Sequence, residues 1–327
     1  MCIRGKDKKN FCIFACLKIV RPMKKFCVKT IRLLMKLLAK LPLKFHYFCG
    51  DVLSWFVKNV VQYRTGLVWT NISRAFPEKK YWQLRRIYND FYRHFGEIFA
   101  ETIWFADATY KKLHKAGIVT VKNPEEFNEI YLNSPSVTIL CSHCGNWEIL
   151  GGFWGYMTKD GVKCPYEDDK FSVVYKRLTS DVANDVFAEN RAAAIEIGSP
   201  YNLVESKSIL RFSIEHRKEK RIYGYPTDQS PYKGMGRHDM GLFLNQQTYA
   251  MTGSVGVACK LSHSVVYLKM KHLERGKYEW EFIPICMDAS KYAPEEIMRK
   301  YYTLLEEEIN ETPHNWLWTH NRWKIKK

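Results

Sequence analysis

Ser136-Val137-Thr138-Ile139-Leu140-Cys141-Ser142-His143-Cys144-Gly145-Asn146-Trp147-Glu148 is the stretch on which the fold of this chain turns. Its opening run is uncharged and rich in β-branched and aliphatic residues, which predicts a buried strand. The run breaks at Cys141-Ser142-His143, Gly145 permits a tight bend, and the apolar residues after Glu148 predict a helix. The same alternation extends outward. Runs 119–123, 136–142, 171–176, 220–226, 263–271 and 278–285 are β-rich, while 181–196, 205–219 and 294–310 have helical spacing. Strands separated by helices argue for an α/β fold, with a mostly parallel central sheet flanked by helices. Arg275-Gly276-Lys277 reads as a hairpin, so one edge is expected to be antiparallel. Residues 51–116 read as helices only. The expected organisation is an arm over 1–50 and one domain over 51–327, made of a helical cap (51–116) and an α/β body (117–327).

The 327 residues carry a formal net charge of +17, and the imbalance is local. Residues 1–50 hold 13 Lys or Arg against one acid, Asp7, so +12 of the total lies there. Lys18, Arg21, Lys25, Lys29, Arg32, Lys36, Lys40 and Lys44 recur every three or four residues, which on a helix makes one stripe. Phe26, Ile31, Leu33, Leu34 and Leu37 fill the positions between them. A cationic stripe on an apolar helix fits an anionic membrane surface, as an interfacial or singly inserted helix. The alternative is an ordinary helix packed on the body with a solvated Lys face. Nucleic acid is not expected, because no binding motif is present and the stripe lacks base-reading side chains. Lys18 interrupts the apolar run 11–20 and no small-residue cleavage site follows, which argues against a secretory signal. Five of the ten Cys lie in the arm and the rest are scattered, predicting a reduced, cytosol-facing protein.

In open α/β sheets ligands bind at the carboxyl ends of strands, which puts a site at the turn after residue 141. His143 stands at that strand end and Glu148 in the first turn of the following helix. Across the bend the two side chains are expected within hydrogen-bond reach, the carboxylate fixing one imidazole nitrogen and raising the basicity of the other. The rival reading uses Cys141 and Cys144, a Cys-x-x-Cys between strand and helix, as a thiol oxidoreductase pair. A zinc site there lacks a second ligand pair, so no metal is expected.

The form His-Cys-Gly-Asn-Trp-Glu after a buried strand resembles the bacterial lipid A late acyltransferases, the lauroyl and myristoyl transferases of the lysophospholipid acyltransferase superfamily. The resemblance extends to Asn71-Ile72-Ser73-Arg74-Ala75-Phe76-Pro77-Glu78, Glu97 and Glu101, Val174-Tyr175-Lys176, Arg191, Asp228-Gln229 with Lys233-Gly234, and the tail Trp316–Trp323. It implies transfer of a fatty acyl chain from acyl carrier protein to a hydroxyl of a lipid A precursor at the cytoplasmic face of a bacterial inner membrane. No cofactor is implied beyond the acyl carrier protein thioester as co-substrate. His143 would be the general base and Glu148 its orienting partner, with backbone N–H groups near Gly145 and Asn146 holding the oxyanion. Arg191 would suit a phosphate or the developing negative charge. Asp228 would support the site or orient the acceptor. Lys176-Arg177 replaces the family's Arg-Pro and Cys144 a more common aromatic, differences that bear on the acceptor; another lysolipid or an aminolipid is the alternative.

Overall fold

Residues Val137–Cys141 form a strand in which every residue is buried, as the unbroken apolar run requires. It is the middle member of a seven-stranded sheet in the computed structural model, which describes residues 7–195, 202–231 and 237–324, with side chains from Met23 onward. The side chains of Lys18 and Arg21, and the pair Lys233-Gly234, lie outside the described residues. In chain order the strands are β1 (Val119–Val121), β2 (Val137–Cys141), β3 (Phe171–Tyr175), β4 (Leu203–Glu205), β5 (Ile222–Pro226), β6 (His238–Phe243), β7 (Gln246–Ala250), β8 (Ser264–Glu274) and β9 (Lys277–Cys286). The sheet order is β1-β9-β8-β2-β5-β3-β4, and all neighbours are parallel except the β8–β9 hairpin. The α/β class and the antiparallel turn at Arg275-Gly276-Lys277 therefore stand as expected. The ribbon β6–β7, which lies outside this sheet, and the three-residue β4 were not legible, because neither has a β-rich run of its own.

The helices are α1 (Asp7–Leu38), α2 (Leu43–Asn59), α3 (Thr65–Ala75), α4 (Tyr81–Trp104), α5 (Tyr110–Ala116), α6 (Pro124–Leu132), α7 (Phe153–Met157), α8 (Asp181–Arg191), α9 (Ile209–Glu215), α10 (Gly253–Lys260) and α11 (Pro294–Glu311). Alternation along β2 divides the interior between the two sheet faces. Leu140 packs in a core with Tyr223, Val265, Tyr267 and Tyr301, whereas Ile139 and Cys141 belong to another with Phe153, Phe171, Val266 and Leu268.

The N-terminal helices have inverted polarity. Among the described side chains of α1 the buried positions are Val28 and Arg32, one turn apart, with Ala39 buried just past the helix end, while Phe26, Leu33, Leu34 and Leu37 are exposed, Phe26 by 71%. A soluble surface helix does the reverse. Arg32 corrects the expected cationic stripe. It turns inward, donates to Asn190 on α8 and to the Ala106 carbonyl (3.3 Å), and lies 3.7 Å from Glu189, while Lys24 pairs with Asp185 at 2.7 Å. Burying a guanidinium demands such partners, and α8 together with the turn at 105–107 supplies them. On α2 the small residues Gly50 and Ser54 face α4, and Phe45, Phe48, Val52, Trp55 and Phe56 point outward. A Cβ on Gly50 would come within 2.6 Å of the Gly96 carbonyl oxygen, so only glycine allows this crossing. Among the described residues no helix is long and apolar enough to cross a membrane.

Candidate active site

β2 and β5 are parallel neighbours with Cys141 in register with Pro226, and the Thr227 N–H donates to the Cys141 carbonyl at 3.0 Å. The chain thus leaves both strands side by side at their carboxyl ends, carrying His143 on one and Asp228 on the other. His143 Nδ1 lies 2.6 Å from Asp228 Oδ1, and the His143 backbone N–H donates to Oδ2 at 3.1 Å. The Trp316 indole N–H donates to the same Oδ2 at 2.8 Å. Burial opposes ionisation of Asp228, but attraction to His143, the bond it makes and the Trp316 donor outweigh that penalty and hold the carboxyl below its usual range. A carboxylate only accepts, so Nδ1 carries a proton and Nε2 the lone pair. The Gln229 amide N–H₂, 3.2 Å away, donates to Nε2, and the Trp147 ring meets the imidazole edge-on.

The expected contact between His143 and Glu148 is not made. Both Glu148 oxygens are committed elsewhere: Arg191 Nε donates to Oε2 at 2.8 Å, Arg191 Nη2 to Oε1 at 2.7 Å, and the Trp147 indole to Oε1 at 3.1 Å. The reason is geometric. Residues 147–152 form a 3₁₀ turn that carries Glu148 toward the end of α8, and the flat Gly151 allows that approach, since a Cβ there would overlap the Arg191 carbonyl. The fork of Arg191 therefore grips a carboxylate of its own chain, which corrects its reading as a ready phosphate clamp.

Gly145 has φ +61°, and a Cβ would lie 3.1 Å from the Met270 carbonyl oxygen, so the bend needs glycine on both counts. Its N–H is taken by the Asn315 side chain (2.9 Å) and carbonyl (3.1 Å), which removes it as an oxyanion donor. Asn146 accepts the Glu148 N–H and donates to Glu101 at 2.8 Å. Glu101 also accepts from Tyr47 and Tyr278, and burial pushes its carboxyl up to about 7. Cys141 and Cys144 are buried with thiols raised by burial, which leaves neither as an accessible thiolate.

Trp316 and Asn315 were not among the expected site residues, although Trp316 opens the tail block of the resemblance. The signal lay in the tail block itself, and only the fold shows that it closes over the turn. Along residues 20–325 the chain matches the model of a family described as bacterial lipid A biosynthesis acyltransferase. No curated protein matches it.

Proposed function

The chain belongs to the bacterial lipid A biosynthesis acyltransferase family, and from that premise we propose that it moves a fatty acyl chain from acyl carrier protein to a hydroxyl of a lipid A precursor, with His143 as general base. The bond from His143 Nδ1 to Asp228 carries this reading, because it leaves Nε2 free of a proton at a strand-end site. As the acceptor hydroxyl displaces the Gln229 amide from Nε2, that nitrogen takes the hydroxyl proton while the acceptor oxygen attacks the thioester carbonyl. The tetrahedral intermediate collapses, the C–S bond breaks, and the imidazolium returns the proton to the departing thiolate. Asp228 stabilises the transient imidazolium charge. The Asn146 N–H, which has no partner among the described residues, is the oxyanion donor of this scheme. Glu148 and Arg191 act as a positioning pair that fixes the turn 147–152 against α8.

The reading puts the enzyme at the cytoplasmic face of the inner membrane, with the 1–50 arm and the start of the cap against lipid. The outward Phe, Leu and Trp side chains of α1 and α2 support this, since contiguous exposed apolar surface marks a contact. The test is mass spectrometry of total lipids from a strain lacking the chain. The expected result is lipid A short of one secondary acyl chain, restored by the wild type and not by His143→Ala. Unchanged lipid A beside an altered lysolipid or aminolipid would move the acceptor to that class, and full restoration by His143→Ala would overturn the mechanism.

A further inference from the structure

Next to the catalytic turn, a second polar cluster plays no part in the mechanism above. His94 and Glu97 stand three residues apart on α4, a spacing that puts both on one helix face, and His272 reaches them from β8. Glu97 Oε2 lies 3.4 Å from His94 Nδ1 and 3.3 Å from His272 Nε2, with side-chain exposures of 4%, 3% and 9%. All three donor atoms fall within 4.8 Å of one another. With zinc–ligand bonds of about 2.0–2.1 Å, tetrahedral geometry sets adjacent donors about 3.3–3.4 Å apart, which the two Glu97 distances match.

The outer bonds point the same way. His94 Nε2 meets the Gly145 carbonyl at 3.3 Å and can only donate to it, so Nδ1 presents its lone pair. His272 Nδ1 is bonded to His314 Nε2 at 3.3 Å, while the buried His272 Nε2 has no hydrogen bond, its approach to Glu97 having the distance but not the angle of one. Glu97 Oε1 accepts from Arg275 Nε at 2.8 Å, which leaves Oε2 for the centre of the cluster. Imidazoles held from behind, their other nitrogens aimed at one carboxylate oxygen, are how metal ligands are oriented. An orphaned buried nitrogen is otherwise a costly feature.

We propose that His94, Glu97 and His272 bind one divalent transition-metal ion of the zinc type, with a water as fourth ligand. The ion ties α4 to β8 and, through His94, buttresses the Gly145 carbonyl. It is a structural clamp and touches no reacting atom. The cysteine pattern gave no hint of it, since the donors come from a helix and a distant strand.

Metal analysis of the full chain, purified without chelator, tests this independently of any acyl-transfer assay. The expected result is about one equivalent of zinc or a neighbouring first-row ion per chain. X-ray absorption should show only nitrogen and oxygen neighbours. His272→Gln and Glu97→Gln should each weaken zinc binding by more than about tenfold in a chelator competition. Should either variant fail to fold, the wild-type chain decides alone. Substoichiometric metal both as isolated and after incubation with zinc overturns the proposal, as do sulfur neighbours or undiminished binding in a folded variant.

Discussion

Two donors, the His143 amide and the Trp316 indole, converge on Oδ2 of Asp228, while Oδ1 takes the imidazole Nδ1. This asymmetry makes Asp228→Asn informative. The amide oxygen will face the two N–H donors, leaving –NH₂ against Nδ1, which must then become the acceptor and send its proton to Nε2. The base is lost with the fold intact. Turnover is expected to fall on the order of a thousand- to ten-thousand-fold with a small change in KM, comparable to the wrong-tautomer effect in hydrolytic triads. Glu148→Gln breaks one Arg191 bond and leaves the tautomer alone, so its loss should be far smaller. Steady-state kinetics on both variants decide the order, and an equal loss would return Glu148 to the proton relay. His143 and Gly145 were legible because their roles are local, a strand end and a bend. The partner of His143 was not, because the choice between Glu148 and Asp228 depends on β5 lying beside β2, which no spacing along the chain reveals.

Helical and apolar character was legible along α1 and α2, but the expected division between arm and cap at 50/51 falls inside α2, and which face would turn inward was not legible. The lysine spacing pointed to a continuous cationic stripe, yet packing on α8 claims Arg32, and close crossing of α4 selects the small face of α2 at Gly50 and Ser54. Small residues at a helix interface with large apolar ones outward is the pattern of helices bathed in lipid. Membrane binding should therefore rest more on the outward apolar side chains than on charge. Replacing Phe26, Leu33, Leu37 and Phe48 by Ser removes roughly 1.5–3 kcal/mol of burial per side chain inserted. That variant should lose binding to anionic vesicles at low and high salt alike. Reversing Lys29, Lys36 and Lys40 to Glu should weaken binding at low salt only, where roughly 1 kcal/mol per charge is unscreened. Vesicle sedimentation reads both. An apolar variant that still pellets at high salt would put the membrane contact elsewhere on the molecule.

At the scale of the whole molecule, the sheet is braced by a buried acid that spans its layers. Glu308 on α11 accepts from the Tyr267 hydroxyl and, at 3.0 Å, from the Met270 N–H, both on β8. Burial pushes its carboxyl up to about 7, against an ordinary value of 4.5. A carboxyl whose value is raised by folding is held neutral in the native state. Its contribution is complete below about pH 4.5 and is lost as pH rises through 7, amounting to about 3 kcal/mol. His263, His314 and His320, pushed down to about 4 by burial, act with the opposite sign, their contribution disappearing as pH falls below 6.5. The pH profile of the wild type alone mixes these effects, whereas comparison with Glu308→Gln isolates one of them. Glutamine is neutral throughout and its oxygen keeps the Met270 bond. The unfolding free energy of the wild type relative to Glu308→Gln should therefore fall by up to about 3 kcal/mol between pH 4.5 and 8, most steeply midway between the unfolded and folded values, at about pH 5–6.5, and flatten above 7. Denaturant titrations of the two proteins across that range measure it. A difference independent of pH would mean that Glu308 is ionised in the folded protein and that its bonds, rather than its neutrality, hold α11 to the sheet.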